Sequence, residues 1–299
     1  MPIPESQLDI WDNQGAIQQS SLTYAAIRNV LDDPNATYHN RDYSIFLQGS
    51  YGNDTNVYAQ SDVDIVIRLD SSFYRDLGEL SAAQQAIYHH DNLPADYGFE
   101  TFRSEVATHL IRAFGSDATP GNKAIKIAAS SARRNADVVI VSSYRRYFAY
   151  RGATDQDFVE GICFWTPDGQ RIVNFPGLHS KRCTSKHERT GYWFKPVVRI
   201  FKNLRNKMVA DQYLAHGIAP SYFIEGMLHN VPDQFFGKSY SASFLAILQW
   251  LSTAKSTDLL CANGQHYLLR DGSDVTWREA DFRTFLYAAA RYWDDWYQT

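Results

Sequence analysis

The chain has 299 residues, 44% hydrophobic and 21% charged, a globular balance that excludes a disordered tail. Its 33 acids against 29 Lys plus Arg give a formal charge of −4, which excludes a uniformly basic nucleic-acid coat but not a local basic cleft. Three cysteines, Cys163, Cys183 and Cys261, with no CxxC pair, exclude a disulfide scaffold and a Cys-rich zinc module and fit a reducing cytosol. The polar, acidic N-terminal residues carry no apolar signal run, and no apolar stretch approaches the roughly 20 residues of a membrane helix. The expected location is the cytoplasm, without membrane attachment.

Residues 5–32 read as one long helix, with Pro4 in its first turn and Leu8, Trp11, Leu22, Ala25 and Ala26 near a helical apolar period. Gly15 inside it costs about 1 kcal/mol against alanine. Residues 43–48 read as a buried strand broken by Gly49-Ser50, and a polar stretch runs on to Gln60. Residues 61–69 alternate with period two: Val63, Ile65 and Ile67 fall on one face, Asp62, Asp64 and Val66 on the other. Helical patterns follow at 81–91 and 99–114, and strands at 123–129 and 136–141. Residues 151–190 read as loop. Beyond them lies a helix at about 193–210, where Val197, Phe201, Leu204 and Met208 form an apolar stripe. Further helices are expected at 221–230, 240–253 and 277–296.

The segment QGSYGNDTNVYAQSDVDIVI, residues 48–67, carries the chemistry. Strand geometry turns Asp62 and Asp64 to the same side. Two carboxylates so placed repel each other unless a cation sits between them. Hard divalent cations take oxygen ligands, and Mg²⁺ binds one or two carboxylates together with substrate phosphates. Asp137, a lone acid at the head of the apolar strand ADVVIV, would complete a two-metal site from an adjacent strand. Such a site lowers the pKa of an attacking hydroxyl and neutralises a leaving pyrophosphate. The Gly49-Ser50 turn offers backbone N–H groups and a hydroxyl to phosphates, with no side chain at Gly49 to block their approach.

This ordered set, GS…DxD…D, resembles the polymerase-β-type nucleotidyltransferase superfamily. Within it the chain is similar to the bacterial cGAS/DncV-like nucleotidyltransferases, and to the clade that makes pyrimidine-containing cyclic dinucleotides such as cyclic UMP–AMP (clade E). The resemblance runs through PIPESQLDIWDNQGA, LQGSYGNDTNV, SDVDIVI, ADVVIV, VNFPGLH, WFKPVVRIFKNLRN and APSYFIEGMLHNVPDQFFG, in that order. It implies an α+β, bilobed polymerase-β-type fold: an N-terminal spine helix over 1–34, a nucleotidyltransferase core with a mixed sheet over 35–180, and a helical C-terminal lobe over 181–299. The active site is expected between sheet and helices. The metal triad and catalytic residues carry over to Asp62, Asp64 and Asp137, and the phosphate turn to Gln48, Gly49 and Ser50. The cofactor is then two Mg²⁺ ions, with Mn²⁺ as a substitute.

From Leu178 to Ala210 there are nine Lys plus Arg and one acid, Glu188, a local positive field suited to a triphosphate. Lys195 and Lys202 on the 193–210 helix could reach phosphates. In related enzymes a helix lysine and a later Ser-Tyr pair contact the donor nucleotide, which here matches Lys202, Ser221 and Tyr222. Asn174 offers a donor and an acceptor to a base edge, and the resembled clade uses an asparagine there to favour uracil; the alternative is a turn asparagine bonded to its own backbone. His179, Cys183 and His187 are three candidate ligands on an expected loop, short of the four that close a structural zinc site. His89-His90-Asp91 reads as a solvated helix end.

The expected activity is therefore the Mg²⁺-dependent joining of two NTPs, UTP with ATP or a second UTP, into a cyclic dinucleotide with release of pyrophosphate. The product is expected to act on a separate effector in CBASS-type phage defence, and the enzyme to be a monomer that needs no long nucleic acid. The alternatives are an RNA-tailing or protein-nucleotidylating transferase of the same superfamily, and a non-catalytic sensor.

Overall fold

The computed structural model describes residues 2–15, 17–57, 62–273 and 275–296. Ser61, at the head of a predicted strand, and the last three residues of the C-terminal tail, 297–299, lie outside the described residues. The chain divides into two compact units. One comprises Gln18–Gln48 and Asp62–Pro176; the other comprises Met1–Ile17, Gly49–Ser61 and Gly177–Thr299.

The predicted long N-terminal helix is instead two, α1 (Glu5–Trp11) and α2 (Ile17–Leu31). The break has a local cause. Asp12, Asn13 and Gly15 are poor helix formers, and Asn56 holds them out of a helix. Its amide donates to the Gly15 carbonyl, its carbonyl accepts the Gly15 N–H at 3.3 Å, and its side-chain oxygen accepts from Gln14 at 2.8 Å. A single helical turn, α3 (Gly49–Gly52), follows the first strand.

The first unit is built on a mixed seven-stranded sheet. Its strands are β1 (Tyr43–Leu47), β2 (Val63–Asp76), β3 (Ala118–Pro120), β4 (Ile125–Ile127), β5 (Ala136–Gly152), β6 (Asp155–Trp165) and β7 (Arg171–Asn174). The path is β1-β2-β5-β4-β3, with β6 pairing β5 and β7 pairing β6. Only β2 and β5 pair in parallel. Strand β5 serves two partners in turn: its start pairs with β4 and its later residues, from Ser142, pair with β6. Val63, Ile65, Ile67 and Leu69 of β2 are all buried as predicted for one face, and Val66 on the opposite face is buried as well.

Two helices of this unit match their sequence signals. Helix α4 (Ala82–Asp91) starts on a capping box, with the Ser81 hydroxyl accepting from the Gln84 N–H and the Gln84 side chain accepting from the Ser81 N–H. Helix α5 (Phe99–Phe114) buries Phe99, Phe102, Val106 and Leu110 and packs on β2, β3 and β5. It ends at Gly115, whose φ of +57° suits a residue without Cβ.

The second unit is helical: α1, α6 (Pro176–Arg189), α7 (Phe194–Ala210), α8 (Ser221–Asn230), α9 (Tyr240–Thr253) and α10 (Glu279–Asp295). Its core includes the α7 stripe Val197, Phe201, Leu204 and Met208, together with Ile247, Leu251, Phe285 and Tyr292. Glu5 of α1 caps α9, its carboxylate accepting the N–H groups of Tyr240 and Ser241 at 2.5 and 2.9 Å. The stretch 151–190 is not the predicted loop, for it contains the end of β5 and all of β6, β7 and α6. No described helix is long and apolar enough to cross a membrane.

Candidate active site

The sheet unit carries the carboxylates. In the parallel β2–β5 ladder Asp64 is the register partner of Asp137. Neighbouring strands lie about 4.8 Å apart, so the two acids project side by side. Asp62 lies two residues before Asp64 and shares its face. On the far side of Asp137, Lys126 of β4 is the antiparallel partner. Burial, reinforced by the negative charge of Asp62, holds the Asp137 carboxyl above the usual range, and Lys126 offsets part of this. A carboxylate raised beside a like charge is what a divalent cation relieves. The residues present thus fit a site for hard cations.

Gln48 ends the first strand and donates its N–H to the Asp64 carbonyl at 2.9 Å. Its Oε1 is buried and has no hydrogen-bond partner among the described residues. Asn174 ends β7, where its Oδ1 accepts the Phe175 N–H at 2.8 Å. The alternative weighed for this residue, a bond to its own backbone, is therefore present.

The helical unit carries the Gly49-Ser50 turn and the basic helix α7. Gly49 opens the turn at φ +66°, in the left-handed region that favours glycine. Ser50 follows it in α3. Within the predicted polar stretch after the turn, Asn53, Thr55 and Asn56 are buried, while Gly52 and Asp54 are exposed.

Lys202 differs from its expected role. It is 1% exposed, and its ammonium donates to Glu225 Oε1 at 2.6 Å, Thr55 Oγ1 at 2.9 Å and the Thr55 carbonyl at 3.2 Å. All three protons are used, so in this conformation no donor is presented to a phosphate. Lys195 lies nearer the surface. Its ammonium pairs with Asp54 at 2.9 Å, and the Asp54 side chain is 62% exposed. Ser221 Oγ accepts from Arg205 at 3.3 Å. Tyr222 stacks on His179 with ring centroids 4.8 Å apart, and its hydroxyl accepts from Asn263 at 2.9 Å. One face of that ring is thus already occupied.

His179 and Cys183 come together with Glu225, all buried, their ligand atoms within 4.8 Å of one another. His187, the third of the sequence trio, is elsewhere: its Nδ1 accepts the Lys195 N–H at 3.3 Å and its ring packs edge-on to Tyr192. Glu225 is saturated. Oε1 accepts from Thr55 and Lys202, and Oε2 from Asn53 and His179. A metal would have to displace one of these bonds, so the trio does not fit a zinc site. Burial alone would raise the Glu225 pKa, but Lys202 and His179 reverse the sign and hold it low. Burial likewise would lower that of His179, yet Cys183 and Glu225 lift it to about 10.

Glu225, Asn53 and Asp54 were not singled out from the sequence. The one available signal was Glu225 itself, a lone acid in the apolar run SYFIEGML, which is costly to bury unless it is paired.

Two family models match the chain: a nucleotidyltransferase domain over residues 27–119 and the cGAS/DncV-like nucleotidyltransferase C-terminal helical domain over residues 181–294. The cyclic UMP-AMP synthase of Rhodothermus marinus is 36% identical over 99% of this chain and 98% of its own. The cyclic nucleotide synthase CdnE01 of Staphylococcus haemolyticus is 33% identical over 99% of this chain and 100% of its own. The structure of the Rhodothermus marinus CdnE c-UMP-AMP synthase with Apcpp and Upnpp superposes with a TM-score of 0.89 at 35% identity, covering 99% of this chain and 98% of that one. Matched along its whole length, with the α+β polymerase-β-type sheet and the helical C-terminal domain both in place, the chain belongs to the cGAS/DncV-like nucleotidyltransferases and, among them, to the CdnE cyclic dinucleotide synthases.

Proposed function

We infer that this synthase joins UTP with ATP, or with a second UTP, into a pyrimidine-containing cyclic dinucleotide. The observation that carries the catalytic part is the registration of Asp64 against Asp137, with Asp62 near enough for its charge to raise the Asp137 carboxyl. These three carboxylates would hold two divalent cations, Mg²⁺ or Mn²⁺, which when bound lower the pKa of an attacking hydroxyl and offset the charge of pyrophosphate.

The 3′-hydroxyl of one nucleotide, or its 2′-hydroxyl, attacks the α-phosphorus of the other. A P–O bond forms, the bond to the β-phosphate breaks, and pyrophosphate leaves. A second such displacement closes the ring. The residues of the chain bind and orient. Gly49, free of a side chain, and the Ser50 hydroxyl receive phosphates, and Gln48 Oε1, buried without a partner, is an acceptor waiting for a donor. Lys195, buried but paired with the exposed Asp54, is the better placed of the two lysines to meet a phosphate. Asn174 reads uracil through its side-chain amide. Ser221 and Tyr222 line the donor nucleotide. The UTP- and ATP-type analogues named with the Rhodothermus marinus relative support this pair of substrates. The product serves as a second messenger for a separate effector in phage defence.

Purified protein incubated with the four labelled NTPs and Mg²⁺, then treated with phosphatase, tests this. A protected product whose mass contains uridine, absent in Asp62→Ala and Asp64→Ala, is expected. Linear, phosphatase-sensitive products would point to tailing activity, and a protected product containing only purines would overturn the pyrimidine assignment.

A further inference from the structure

We propose that Glu225 is a positioning residue that sets the Gly49–Ser50 turn and, through it, the grip on the triphosphate; this rests on reading that turn as the phosphate cradle. The two oxygens of one carboxylate reach two residues of the same loop. Oε2 accepts from the Asn53 side chain at 3.0 Å, and the Asn53 N–H donates to the Gly49 carbonyl at 3.2 Å. Oε1 accepts from the Thr55 hydroxyl at 2.5 Å, and the Thr55 N–H donates to the Ser50 carbonyl at 2.9 Å. Each residue of the turn is thus tied by one backbone bond and one side-chain bond to a single group on α8.

Every member of the relay is fixed. Glu225 and Thr55 are fully buried and Asn53 nearly so. The other acceptor positions of Glu225 are taken by Lys202 and His179, so the carboxylate cannot swing away. Between the two arms Asp54 holds a φ of +56°, unusual for a residue with a Cβ. Its carbonyl accepts from Arg199 at 2.8 Å and its carboxylate pairs with Lys195 at 2.9 Å. Such a conformation persists only where its surroundings over-determine it.

A stabilising ion pair alone would need Lys202 and Glu225 and nothing else. The relay instead ends on the carbonyls of Gly49 and Ser50, the positions at which a phosphate-binding backbone must be held to a few tenths of an ångström. Glycine at the head of the turn makes external restraint necessary, since its own backbone supplies little.

The relay can be opened one arm at a time. Thr55→Val is nearly isosteric but removes the hydroxyl, Thr55→Ser keeps it, and Asn53→Ala removes the other arm. The measurements are KM and kcat for UTP, and Kd for a nonhydrolysable UTP analogue, alongside Tm. Ile247→Val, in the core of the same unit, serves as a variant that lowers Tm without touching the relay. Thr55→Val and Asn53→Ala are each expected to raise KM and Kd roughly five- to tenfold, with Thr55→Ser within about twofold of wild type and Ile247→Val unchanged. Wild-type KM in both Thr55→Val and Asn53→Ala overturns the relay, as does a KM that rises with falling Tm in all variants, Ile247→Val included. If the wild type makes no product and binds no analogue, the phosphate reading of the turn fails and the relay with it.

Discussion

Asp64 and Asp137 are direct partners in a parallel ladder, although 73 positions separate them in the chain (137 − 64). Parallel pairing requires a long crossover, here made by α4, α5 and the β3–β4 hairpin. The crossover brings two like charges together, and Asp62 adds a third. Burial and the charge of Asp62 hold the Asp137 carboxyl above the usual range, a strain that a bound cation would relieve.

Replacing one of these acids should therefore separate activity from stability. Asp64→Asn and Asp137→Asn are expected to reduce synthesis by on the order of a thousandfold. Their Tm without divalent ions should equal or exceed that of the wild type, because a repulsion is removed. Adding Mg²⁺ should stabilise the wild type by about 2.7 kcal/mol at a hundredfold excess over Kd, seen as a higher Tm, and leave the variants nearly unmoved. Equal stabilisation of wild type and variants by Mg²⁺ would show that the ions bind elsewhere.

Lys202 gives a second test, on stability. Its partner Glu225 is as deeply buried as Lys202 itself. Lys202→Met leaves that carboxylate with His179 as its one remaining charged partner among the described residues and is expected to cost about 2–4 kcal/mol, somewhat less than breaking an isolated buried pair. The double variant Lys202→Met/Glu225→Gln, which removes both charges, should recover part of the loss. Urea unfolding of the wild type, Lys202→Met, Glu225→Gln and the double variant measures this; additive losses would mean the pair is not coupled.

The helices at 82–91, 99–114, 194–210, 221–230 and 240–253 were legible because each buries an apolar face whose period shows in the sequence. Asp62 and Asp64 were legible because a strand of period two sets them against Val63 and Ile65. Helix α6 was not, and the reason is physical: its buried residues are His179, Cys183 and Lys186, so its inward face is mostly polar and carries no apolar period. Each such residue is tolerable only through a distant partner, Glu225 for His179 and Asp233 for Lys186. The role of Glu225 was hidden for the same reason, since Thr55 lies 170 positions away from it. The break between α1 and α2 depends on Asn56, 41 positions beyond Gly15.

Stability should peak near pH 6.5, with a different cause on each side. On the alkaline side His179 is decisive: its pKa is raised from 6.5 to about 10, so its contribution is complete below 6.5 and fades as pH rises towards 10. On the acid side burial, together with neighbouring cations, lowers the pKa values of His187 and His229 from 6.5 to about 4. The unfolded chain then takes up protons that the folded chain refuses, and stability falls between 6.5 and 4. Glu225, held low, adds a further loss below its ordinary value of 4.5. Tm measured from pH 4 to 10 checks the shape. His187→Asn retains an acceptor for the Lys195 N–H and should flatten the acid limb; a Tm that climbs steadily through pH 9 contradicts the assignment of His179.

Asn174 allows base recognition to be separated from its local structural role. Its Oδ1 already holds the Phe175 N–H, so removing the side chain outright would disturb the β7–α6 junction and confuse the result. Serine keeps a short acceptor for that N–H but has no amide donors. If the amide nitrogen donates to uracil, Asn174→Ser should keep the wild-type Tm and lose discrimination. The expected change is about 1 kcal/mol, roughly fivefold in the ratio of kcat/KM for UTP over CTP or ATP. Competition between labelled UTP and each other NTP, with product masses read by chromatography, gives that ratio directly. An unchanged ratio with unchanged Tm would leave Asn174 as a turn residue only and move base selection to other residues.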